Sequence, residues 1–315
     1  MKITYKTPKY FLSPTGRENS RLGMQAQEIS LAELSQKKHG TVIFGIPDDQ
    51  GIHTVGGRPG AKDAPDMIRS KLYRFSSPKF SYPLYDLGNL ETQSESKETH
   101  ERARLVLEEV RRAGHIPLVL GGGHDLVYPE AISMMEEKKN LSYGFLNIDA
   151  HLDLRNTNAG ITSGSPWFLL LENPLFKKHK GKLLEFGIQS HCNTDDLFAY
   201  AKKHGVEILP LEKVRKNSLR AFSAALKKLA VKNKILVSLD IDSVQSSDAP
   251  GCSAPQTMGF TAADVIEISY ESGKHKKVCS FGIYEVSPIL DQDNRTAILA
   301  AHCVHSFLKG FELRK

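Results

Sequence analysis

The chain has 315 residues, 40% hydrophobic and 25% charged, which excludes a disordered or fibrous polymer and supplies ample apolar surface for a core. Lys+Arg 42 exceed Asp+Glu 36, a net charge of +6 with a pI near 9.0, too mild a balance to mark a nucleic-acid binder. The basic groups, Lys177-Lys178-His179-Lys180 and Lys274 to Lys277, lack interleaved aromatic residues and read as solvated surface.

Residues 1–38 are polar and aperiodic, an N-terminal arm or extension, and residues 39–315 read as one α/β domain. No apolar run follows Met1-Lys2-Ile3-Thr4-Tyr5-Lys6, so no secretory leader is expected. Thr41 to Ile46 reads as a buried strand. Between Glu98 and Ala113, Ala103, Val106, Leu107 and Val110 fall on one face of an amphipathic helix, with Gly114 as its stop. Strands follow at Ile116–Leu120 and Tyr143–Ile148, with weaker ones at Phe186–Ile188 and Val206–Leu209. A helix from Leu219 to about Val231 carries Leu219, Phe222, Leu226 and Leu229 on one face, with Ser218 as its expected N-cap. It leads into the strand Ile235–Leu239. The strand Val278–Ile283 and a helix from about Thr296 to Leu308 complete the pattern. Continuous apolar strands alternating with amphipathic helices predict a three-layer α-β-α sandwich around a mostly parallel sheet.

Cys192, Cys252, Cys279 and Cys303 show no framework spacing and read as reduced thiols. The longest apolar stretch, Trp167–Leu171, is far short of the ~20 residues of a membrane span. A soluble, cytoplasmic protein is expected, without membrane or nucleic-acid partners.

Three strands end in the same kind of residue. Gly121-Gly122-Gly123-His124-Asp125 follows one, Asp149-Ala150-His151-Leu152-Asp153 a second and Asp240-Ile241-Asp242 a third. Residues two apart on an extended chain share a face, so Asp149, His151 and Asp153 form one row, and Asp240 and Asp242 another. In an open parallel sheet, sites form at such carboxyl ends. Each motif alone reads as readily as a cap or a tight turn. Together they gather two imidazoles and at least four carboxylates, which would repel one another without a cation. Hard oxygens with borderline nitrogens suit Mn²⁺, and six ligands suit two metals sharing bridging carboxylates.

These motifs resemble the ureohydrolases, the family of arginase, agmatinase and formimidoylglutamase. The likeness begins at Gly57-Arg58-Pro59-Gly60-Ala61, runs through the three strand-end motifs, and ends at Tyr284-Glu285-Val286-Ser287-Pro288 and Asp293-Asn294-Arg295-Thr296-Ala297. The resemblance implies an arginase-like fold and two Mn²⁺ ions per subunit. The first would be held by His124, Asp149, Asp153 and Asp240, and the second by Asp149, His151, Asp240 and Asp242. It further implies that Asp153 aims a metal-bridging hydroxide at the substrate carbon, and that Glu285 grips an amidinium or guanidinium.

Within the family, Leu154-Arg155 after Asp153, and Trp167 where arginase carries a shuttle histidine, resemble the formimidoylglutamase branch. So do Ala249-Pro250-Gly251-Cys252-Ser253-Ala254-Pro255 and the segment Gly187 to Thr194. That likeness implies hydrolysis of N-formimidoyl-L-glutamate to L-glutamate and formamide, a reaction of histidine degradation. Arg155 would select a carboxylate, Ser163 and Asn193 would assist, Trp167 is a candidate pocket wall, and His191 a secondary proton donor. A guanidine-cleaving relative, a single-zinc deacetylase and a non-catalytic metal-binding subunit are the alternatives. Family members often assemble as trimers or hexamers, so a homo-oligomer is a further expectation.

Overall fold

Runs such as Thr41–Gly45 and Tyr143–Ile148 bury every residue, so both faces of their sheet must be covered. The computed structural model describes residues 5–6, 20–136 and 141–314. Among these, ten strands form one sheet: β1 (Tyr5–Lys6), β2 (Ala26–Glu28), β3 (Thr41–Gly45), β4 (Leu84–Leu90), β5 (Ile116–Leu120), β6 (Tyr143–Ile148), β7 (Lys182–Ile188), β8 (Glu207–Pro210), β9 (Lys234–Asp240) and β10 (Val278–Tyr284). Their order is β1-β4-β3-β5-β10-β9-β6-β7-β8, with β2 also on β4; all pairs are parallel except β1 with β4.

Alternation along the strands feeds two cores. Leu118, Leu146, Val237 and Phe281 point to one, beneath the helices Ala64–Leu72, Ser218–Leu229, Ala262–Lys274 and Arg295–Phe311. Val119, Phe145 and Leu236 point to the other, beneath Ser96–Arg112, Val127–Glu136, Pro166–Glu172 and Asp195–Lys203. The three-layer sandwich expected from the pattern is the fold observed.

Several boundaries differ from expectation. The helix begun at Ser218 is capped by Asn217, whose side chain accepts the Arg220 N–H, rather than by Ser218, which is its first helical residue. The weak run at Phe186–Ile188 is the end of a seven-residue strand. Within residues 1–38, Leu22 is buried and Ala26–Glu28 joins the sheet; residues 1–4 and 7–19 lie outside the described set. None of the four cysteines is in a disulfide among the described residues, and no helix of the described residues is long and apolar enough to cross a membrane.

Candidate metal centre

The sheet register assembles the site. Leu120 on β5 lies opposite Ile283 on β10, Tyr284 opposite Asp240 on β9, and Leu239 opposite Ile148 on β6. Four adjacent strands therefore end at one level. At or just beyond those ends stand His124, Glu285, Asp240 with Asp242, and the row Asp149, His151 and Asp153.

Local backbone choices aim these side chains. A side chain at Gly121 would collide with the Tyr284 ring, and one at Gly122 with the Asp48 carbonyl, so the triglycine turn lets three segments meet. Asp153 (φ 46°) and Glu285 (φ 64°) are held in the left-handed region, which disfavours side-chain-bearing residues. Non-glycine residues in that conformation persist where their surroundings over-determine them, commonly at functional positions.

His124 Nδ1 lies 2.7 Å from Asp153 Oδ2, 3.1 Å from Asp149 Oδ2 and 3.2 Å from Asp240 Oδ2. On the far side of the ring, Nε2 shares a hydrogen bond with Ser238 Oγ at 2.8 Å, which turns Nδ1 toward the carboxylates. His151 Nδ1 lies 3.0 Å from Asp242 Oδ2 and 3.5 Å from Asp149 Oδ1. Two candidate ligand sets result: His124, Asp149, Asp153 and Asp240, and then Asp149, His151 and Asp242, with donor atoms within 4.8 Å of one another in each. Asp149 is common to both. Asp240, expected to bridge as well, falls in the first set only.

The electrostatics ask for a cation. Burial, then the neighbouring Asp242 and Asp149, drives the Asp240 carboxyl well above the carboxylate range. Burial and Asp149 raise Asp153 to about 6, and burial and Asp242 raise Glu285 to about 8. Burial also opposes charge on Asp149, but hydrogen bonds from His124 and His151 outweigh it and hold this group low. Asp242 Oδ1 is buried with no partner among the described residues. A cluster of hard oxygen donors with two imidazoles, containing an orphaned carboxylate oxygen, fits a pair of divalent ions of the Mn²⁺ type.

Above the cluster lies a cavity of about 360 Å³. It contains His151, Asp153, Asp240, Asp242 and Glu285, and its wall includes Arg155, Ser163 and Asn193. Arg155 is exposed at the mouth and pairs with no carboxylate among the described residues. Glu285 Oε1 accepts the His124 N–H at 2.9 Å, and its Oε2 has no partner among the described residues. Asn193 reaches the wall, but its amide donates to the Ala150 and Gln189 carbonyls and accepts the Leu152 N–H, so it braces the loop carrying His151. Trp167 is fully buried and packs edge-on to His124 instead of walling the cavity; exposed His191 also lies off its lining.

Three contributors escaped the sequence reading: Ser238 beneath His124, and Asn147, which donates to both Asp149 Oδ2 and the fully buried Glu185. The signal was the period of two. Asn147, Asp149 and His151 form one alternating row, and Ser238, Asp240 and Asp242 another. Glu185 gave no local signal.

A parallel α-β-α sandwich with carboxylates and imidazoles gathered at its central strand ends defines a metallohydrolase class. The chain belongs to the arginase family: the model of that family matches residues 39–309. The formimidoylglutamase of Staphylococcus carnosus is 32% identical over 292 residues, covering 90% of this chain and 91% of its own. The structure of Trypanosoma cruzi formiminoglutamase with two Mn²⁺ superposes with a TM-score of 0.81 at 30% identity, covering 91% of this chain and 99% of that one. The Bacillus subtilis formimidoylglutamase gives 0.84 at 26% identity, covering 96% and 95%.

Proposed function

We infer that the protein hydrolyses N-formimidoyl-L-glutamate to L-glutamate and formamide using two Mn²⁺ ions, a cytoplasmic reaction of histidine degradation. Residues 39–315 would form the catalytic domain and residues 1–38 its N-terminal extension. The observation that carries the reading is the single cavity holding the buried donor cluster beneath the unpaired Arg155. The relatives named for this substrate support it.

His124, Asp149, Asp153 and Asp240 would hold one ion, and Asp149, His151 and Asp242 the other, with Asp240 available to bridge. Bound there, the ions supply Lewis acidity and a strong oxygen nucleophile at neutral pH. The remaining work falls to the chain. Glu285 Oε2 takes the N–H edge of the amidinium, a planar cation suited to a carboxylate. Arg155 takes a substrate carboxylate at the mouth, Ser163 offers its hydroxyl, and Asn193 holds the His151 loop. Asp153 accepts a proton from the attacking water and returns it to the departing nitrogen of glutamate. Water adds across the formimidoyl carbon, the C–N bond to glutamate breaks, and formamide leaves with the other nitrogen.

The test is glutamate and formamide release from N-formimidoyl-L-glutamate by Mn²⁺-loaded protein, with arginine and agmatine in parallel. Turnover of the formimidoyl substrate alone, weakened by Arg155→Ala, is the expected result. Urea from either guanidine would overturn the substrate assignment.

A further inference from the structure

The substrate inferred above carries two carboxylates, and one unpaired arginine accounts for one of them. The cavity mouth holds a second guanidinium. Arg58 is exposed and shares the lining with Arg155, while the acidic groups His151 contacts, with Asp153 and Glu285, lie buried below. The cavity therefore gathers buried carboxyl groups at its floor and two guanidinium groups at its rim.

Arg58 is fixed without being neutralised. Its Nε donates to the Ser253 carbonyl at 2.9 Å and its Nη2 to the Cys252 carbonyl at 2.8 Å, while its backbone N–H donates to Ser253 Oγ at 2.9 Å. Neutral carbonyls orient the fork and leave its charge whole. Among the described residues Nη1 has no partner and no carboxylate pairs with the group. Arg155 differs: no hydrogen bond holds its side chain among the described residues, and it lies beside Gly164, where an added Cβ would sit 3.0 Å from Arg155 Cδ. Of the two long side chains, Arg58 is thus held in advance, which lowers the entropy cost of gripping a ligand.

We propose that Arg58 is a specificity-determining residue that binds the second carboxylate, so that Arg58 and Arg155 together select a dicarboxylate over a monocarboxylate tail. This rests on the formimidoylglutamate reading for its substrate, but the rim can be tested without turnover. The buried floor takes the cationic amidine and the two rim forks take one carboxylate each, with charge-assisted paired bonds that a lysine does not reproduce.

Arg58→Ala is expected to raise KM for N-formimidoyl-L-glutamate about 10- to 100-fold, the scale of losing hydrogen bonds to a charged group, while kcat stays within a few-fold. Arg58→Lys should recover only part of that loss. The decisive comparison uses N-formimidoyl-L-glutamine and 4-formimidamidobutyrate, each lacking a different carboxylate. Arg58→Ala should cost far less against one analogue, and Arg155→Ala far less against the other. An equal loss on all three substrates would mean that Arg58 only staples the 252–253 loop, and would overturn the proposal.

Calorimetric binding of N-acetyl-L-glutamate, which has no amidine to cleave, separates the two readings. Tighter binding than both N-acetyl-L-glutamine and 4-acetamidobutyrate by the wild type, with the advantage over one of them lost in Arg58→Ala, supports the rim even if no formimidoyl substrate is turned over. Equal binding of the three compounds, or an advantage over both that survives Arg58→Ala, sinks the proposal whatever the enzyme hydrolyses.

Discussion

Arg69 on the helix Ala64–Leu72 and Asp86 on β4 are both wholly buried, and the chain neutralises them itself. Arg69 Nε and Nη2 grip the two Asp86 oxygens at 2.9 and 3.0 Å, Nη2 also meets the Gly88 carbonyl, and Nη1 donates to Asn89. Tyr73 donates to Asp86, Gly88 N–H donates to it at 2.7 Å, and Asn89 passes a bond on to Asp66. At the ends of β5, β10, β9 and β6 the balance is reversed. Asp149, Asp153, Asp240, Asp242 and Glu285 face two histidines and no lysine or arginine within bonding distance, and an Asp242 oxygen goes unpartnered among the described residues. The difference teaches where chemistry can sit. A buried charge satisfied from within is a fixed strut, whereas one that awaits a cation is a site.

The largest expected break in that comparison comes from Asp240→Ala. It should cut turnover roughly a thousandfold or more, the scale of losing a group that stabilises charge in the transition state. Metal analysis should show Mn²⁺ content falling with activity; near-normal activity would dissolve the distinction between strut and site.

Next in size, Arg69→Met strips the internal counter-ion from Asp86 and should destabilise the fold by about 3–5 kcal/mol in urea unfolding. The folded fraction should retain its Mn²⁺ stoichiometry, because the two clusters answer to different cations. A change below about 1 kcal/mol would show that the Arg69 pair is no strut, since only solvent-exposed pairs are worth so little.

Smaller still is the effect at Ser238→Ala, which leaves His124 Nε2 without its hydrogen-bond partner. Mn²⁺ affinity should weaken about 10- to 100-fold, as for other groups that orient a ligand. Competition with a fluorescent chelator measures this directly, and an unchanged affinity would remove Ser238 from the site.

The smallest effect sharpens the comparison with a third kind of group, a half-buried one. His305 has neither an anionic partner nor a metal role. Burial first, then Lys309 and His302, lowers it to about 4, while Ser77 Oγ and the Phe75 ring also face it. A histidine depressed below its unfolded value near 6.5 leaves stability intact above that value and removes it as pH falls toward about 4. Thermal melts of the wild type should therefore drop across that window more steeply than those of His305→Gln, and parallel curves would refute the assignment.

Much of this was legible without coordinates. The strands at 116–120 and 143–148 fall where their apolar runs place them, because a strand buried on both faces needs no partner-specific signal. The candidate ligand residues announced themselves through residue type and the spacing of two. β4 did not, since Asp86 and Asn89 interrupt its apolar run and become burial-compatible only when Arg69 arrives from elsewhere in the chain.

By itself, then, the sequence determined which histidines and aspartates stand as candidate metal donors and which of them share a face, because backbone periodicity is local. Tertiary structure alone decided that β5, β10, β9 and β6 would be neighbours in that order, which turns three separate motifs into one cluster. It alone brought Ser238 beneath His124, Glu185 beside Asn147 and Arg58 onto the 252–253 loop. Such meetings depend on long-range strand order and loop packing, which are set by the burial of the whole sheet and leave no periodic trace in the chain.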